Sequence, residues 1–68
     1  MKKITIIQIL DQFARRVPNI EKYFLDWGRN LIFLQTKDKK GYEYKICDIV
    51  CQFENQVYQK KLDIEIVR

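Results

Sequence analysis

Three residues punctuate the backbone of this 68-residue chain: a single proline, Pro18, and two glycines, Gly28 and Gly41. With so few breakers, most of the chain is free to enter regular structure, and these three positions mark where elements end. A chain this short makes one domain, residues 1–68, and buries only roughly 60% of the surface its unfolded form exposes. That leaves little for a deep substrate cavity. A hydrophobic content of 47% argues against disorder, and the isoleucines, four phenylalanines, four tyrosines and one tryptophan can build a core without disulfide staples.

Residues 4–17 read as a helix, because Ile6, Ile9, Leu10, Phe13 and Val17 recur at helical spacing. Thr5 and Gln8 form a capping-box pattern at its start. Pro18 disfavours helical geometry at Val17 and can itself open a helix. A second helix is therefore expected from about Pro18 to Trp27, with Ile20, Tyr23, Phe24 and Trp27 on one face and Gly28 as a left-handed stop.

From Leu31 the pattern becomes β-like. Leu31–Thr36 and Tyr42–Cys47 flank a polar turn at Lys37–Gly41, which sets Ile32 against Ile46 and Leu34 against Tyr44. Residues 46–58 fit either a helix face through Ile46, Ile49, Val50, Phe53 and Val57, or a strand. Their side chains are poor helix formers. A β-bulge near Cys47–Asp48 aligns Ile49 with Leu62, Ile46 with Ile64 and Lys45 with Glu65, and this favours the strand. The expected fold is α+β: two N-terminal helices packed on one face of a three-stranded antiparallel meander. The alternative is an ααββαβ order with a helix over about 47–59.

The chain contains no histidine and no serine. This removes the commonest general base and a common nucleophile, so the expectation is a protein that is not an enzyme. Cys47 and Cys51 are two ligands at most, with no histidine to complete a zinc site. They are expected to be reduced, one packed and the other partly exposed. No carboxylate pair or Gly-rich phosphate loop is present, and no cofactor or metal is expected. The apolar stretch Ile4–Leu10 is too short and too interrupted for a signal peptide or a membrane span, and a cytoplasmic protein is expected.

Two surfaces remain. The formal charge is +4, and Lys37, Lys39, Lys40 and Lys45 with Tyr42 make a basic hairpin that can meet phosphates and bases. The register turns Tyr44 towards the core, and Arg15 and Arg16 suit the end of the first helix. The second surface is apolar. Leu31 and Phe33 point away from the expected core, as do Val50 and Val67, and the strand bearing the first two is expected at a sheet edge. The leading expectation is a small non-enzymatic protein-binding module, a regulator or inhibitor that occupies a partner surface. Its partner is another protein or a second copy. Nucleic-acid binding through the basic hairpin is the alternative.

Overall fold

A computed structural model describes residues 2–68. The elements run β1 (Lys2–Thr5), α1 (Ile6–Arg15), β2 (Ile20–Asp26), β3 (Leu31–Thr36), β4 (Gly41–Lys45), α2 (Ile46–Tyr58) and β5 (Ile64–Val67). Strands β2, β3 and β4 form an antiparallel sheet in that order, and β1 pairs in parallel with β5.

Helix α1 starts where its capping residues place it. The Gln8 N–H donates to Thr5 Oγ1 at 3.2 Å, and the Thr5 N–H donates to Gln8 Oε1 at 2.8 Å. Two otherwise orphaned N–H groups are thus satisfied reciprocally. The helix ends at Arg15, with Arg16 as its C-cap, two residues before Pro18. Its inner face, Ile9, Leu10 and Ala14, joins Ile4 of β1, Ile32 and Leu34 of β3, and Ile46, Ile49 and Val50 of α2 in one core. Leu10 and Ile32 are fully buried.

The fold differs from the expected one in several places. Only one helix is N-terminal; the other follows the meander. Residues 20–26 form a strand, because Tyr23 and Leu25 face inward opposite Leu34 and Ile32 while Lys22, Phe24 and Asp26 face outward. Pairing along the whole of β3 outweighs a four-residue helical stripe. Gly28 is not left-handed; Asn30 (φ 60°) and Asn19 (φ 61°) take that role, as asparagine can with little strain. The Asp26 carboxylate accepts the Arg29 N–H at 3.1 Å and shapes the turn between β2 and β3.

Strand β3 is therefore central, with β2 on one side and β4 on the other, and is not an edge. The observed register pairs Ile32 with Tyr44 and Leu34 with Tyr42. It is offset by two residues from the expected pairs, so each side chain keeps its face. Residues 46–58 are helical, as in the alternative reading, and the bulge at Cys47–Asp48 and the strand pairings built on it do not form. Helix α2 has no side-chain cap at Lys45, but the Asn30 carbonyl accepts the Ile46 N–H at 2.9 Å. Strand β5 is drawn to β1 instead, setting Ile66 beside Ile4 and Glu65 beside Lys3 rather than Lys45.

Candidate functional site

The meander has two unlike faces. The inner one carries Ile32 and Leu34 into the core, and Thr36 beside them is buried. The outer one is a three-by-three array set by the register: Lys22, Gln35 and Gly41 in one row, Phe24, Phe33 and Glu43 in the next, Asp26, Leu31 and Lys45 in the third. Phe24 stands directly opposite Phe33, and Phe33 is the middle residue of the array. Trp27 lies in the turn that follows β2. None of Phe24, Trp27, Leu31 and Phe33 packs against the core. Phe24 is 58% and Trp27 54% exposed, while Leu31 and Phe33 are half-buried by their strand neighbours. The Lys22 ammonium lies 5.5 Å from the centre of the Phe24 ring, within cation–π range.

The structure brings Leu31 and Phe33 together on this face, as expected from the sequence. Val50 does not belong there. It is buried in α2, because its helical position aims it at the sheet. Val67 is exposed but lies on β5 in the other sheet. Phe24 escapes a reading that makes its segment a helix. The alternation of Lys22, Phe24 and Asp26 with Tyr23 and Leu25 is the signal that reveals it.

The basic hairpin is present in altered form. Lys37, Lys39 and Lys40 are exposed around the β3–β4 turn, with Lys39 left-handed at φ 66°. The Thr36 hydroxyl donates to the Asp38 carboxylate, and Lys40 Nζ lies 3.9 Å from that carboxylate. Lys45 is on the outer face, whereas Tyr42 and Tyr44 lie on the inner side. Tyr44 meets the Phe13 ring edge-on at 5.4 Å yet keeps 45% exposure, and Tyr42 keeps 44%. Tyr44 is thus a core margin and not a fully buried residue.

A polar group ties α1 to β2. The Tyr23 hydroxyl donates to Asp11 Oδ1 at 2.8 Å, and Arg15 Nε donates to Asp11 Oδ2 at 2.8 Å. The Tyr23 bond, and after it the Arg15 bond, holds the Asp11 carboxyl below its ordinary value. The same Asp11 bond, with some burial, raises the Tyr23 phenol. Both groups border a cleft of about 540 Å³ with Lys2, Lys3, Ile7 and Gln8.

Cys47 and Cys51 are both free and exposed on α2, so the expected packing of one of them is not seen. Their four-residue spacing aims both away from Ile46, Ile49 and Val50. Among the described residues, no three His, Cys, Asp or Glu side chains are clustered for a metal ion. No helix among them is long and apolar enough to cross a membrane. Comparison with protein-family models, with curated proteins and with solved structures finds no match.

Proposed function

We propose that this chain is a small non-enzymatic protein-binding module that engages its partner through the outer face of the meander. The observation that carries the reading is the uncovered aromatic pair Phe24–Phe33, with Leu31 beside it, on the outer face of the sheet. Large aromatic side chains on a fixed scaffold lose little entropy on docking and are favoured at interface centres. The charges around them, Lys22 and Lys45 against Asp26 and Glu43, suit the polar rim of such an interface. A regulator or inhibitor that blocks a partner surface needs nothing more.

The exposed lysines at 37, 39 and 40 favour nucleic acid as the competing reading, but Asp38 lies among them, 3.9 Å from Lys40 Nζ, and offsets part of their field.

The test is affinity capture from the native host after nuclease treatment, comparing wild type with Phe33→Lys. Proteins retained by the wild type and lost from a folded Phe33→Lys variant support the reading. Equal recovery by both proteins overturns it, as does a wild-type catch that nuclease abolishes.

A further inference from the structure

We infer that Cys47 and Cys51 form a two-thiolate site for a soft univalent metal ion, copper(I), on the exposed side of α2. The site goes beyond the protein-binding reading and does not rest on it, because it lies on the helix and not on the outer face of the meander. The chain has two cysteines, and the fold sets both in one helix, four residues apart. Side chains at that spacing are neighbours on a helix surface, with Cβ atoms about 5–6 Å apart. On an extended strand the two α-carbons would lie about 13 Å apart, so it is the helical turn that brings the thiols together. Both are free and exposed. Ile46, Ile49 and Val50 bury the opposite side of the helix, which leaves the pair facing solvent.

The donor set selects the ion. Structural zinc takes four ligands, and among the described residues no three His, Cys, Asp or Glu side chains come together. Calcium and magnesium take oxygen ligands. Thiolates favour soft ions, and copper(I), with its filled d shell, is satisfied by two of them in a line. Two metal–sulfur bonds of about 2.3 Å each span about 4.6 Å, a distance that side chains with Cβ atoms about 5–6 Å apart can bridge. Binding changes no oxidation state. Each sulfur releases its proton to solvent and donates a lone pair to the ion, so two protons leave for one cation bound. The Cys47 thiol already directs its proton at the Asp48 carboxylate, with Sγ 3.9 Å from Oδ1, which puts a proton acceptor beside the site.

The test is anaerobic titration of the reduced chain with copper(I) against bicinchoninate, a chelator that colours on binding the ion. Native mass spectrometry gives the stoichiometry, and far-UV circular dichroism verifies folding. Wild type is expected to take one copper(I) per chain while remaining monomeric. Cys47→Ser and Cys51→Ser are each expected to lose roughly a hundredfold in affinity or more, because the second thiolate no longer acts at the high effective concentration of the same helix. Cys51→Ser combined with Gln52→Cys, at an exposed position, keeps two thiols but moves one of them about 100° round the helix. It is expected to bind as weakly as the single variants. Zinc titrated alone is expected to give no stoichiometric complex. Copper shared between two chains overturns the inference. So does affinity that survives either serine variant or the displaced thiol, or zinc bound as tightly as copper(I).

Discussion

Asp11 accepts hydrogen bonds from two side chains, Arg15 one turn along α1 and Tyr23 on β2, and its ionisation gives the fold a pH signature. Its pKa is lowered in the folded state, so its contribution to stability is complete above the ordinary carboxylate range and is lost as pH falls through the lowered value. Tyr23 is raised above 10.0. Its contribution is complete below that value and is lost as pH rises through the raised one. Tyr23→Phe should therefore lower the melting temperature by a few degrees near neutral pH, and the gap should close in strong acid and strong alkali. Thermal melts across pH check this, and a constant offset would show that the Asp11–Tyr23 bond does not form. At the same scale, both thiols on α2 should react readily with a disulfide reagent in the folded protein. Cys47→Ala with Cys51→Ala should leave the melting temperature and partner binding almost unchanged.

At the scale of elements, local chemistry decided some segments and pairing decided others. Helix α1 was legible because its stripe, its capping box and Pro18 all agree. Thr5→Ala should cost about 1 kcal/mol in urea unfolding, because the Gln8 N–H loses its acceptor. Helix α2 was harder. Ile46, Cys47, Ile49, Val50 and Cys51 favour strands by themselves, and Lys45 caps nothing. The helix forms because its Ile46–Ile49–Val50 face meets α1 and the sheet, and because Asn30 accepts its first N–H. Lys45 has the extended geometry of an N-cap, φ −77° and ψ 131°. Lys45→Thr should therefore add a side-chain acceptor and gain about 0.5–1 kcal/mol; a loss would mean that α2 does not begin there. Strand β2 is hidden in the sequence because Ile20, Tyr23, Phe24 and Trp27 also fit a helical stripe. Nothing local to that segment announces the long partner, β3, that decides it.

At the scale of the whole molecule, half of the candidate face was legible. Leu31 and Phe33 keep the outward side that strand alternation predicts, because a register offset of two residues leaves side chains on their own faces. Phe24 depends on β2, which the sequence presents as a helix; Val50 and Val67 depend on a strand that is a helix and on a sheet that is two sheets. The same arrangement limits the basic hairpin. Contacts from Lys37, Lys39 and Lys40 alone should give a log–log salt slope of about −2 to −3 with nucleic acid, too shallow for tight binding at physiological salt. Titration of labelled DNA and RNA at two salt concentrations checks this, and submicromolar binding abolished by a triple Lys→Ala change would shift the function to nucleic acid. The account rests above all on a sheet with one face in the core and one face open. Urea unfolding of Ile32→Lys and Phe33→Lys, at concentrations low enough to keep the chain monomeric, tests it most directly. Ile32 is fully buried, and a lysine there leaves an unpaired charge in the core. That costs more than about 4 kcal/mol and should abolish the folded baseline of so small a domain. Phe33→Lys should keep a cooperative transition within about 1 kcal/mol of wild type. If Phe33→Lys unfolds the chain as completely as Ile32→Lys, the outer face is core, and the account is contradicted.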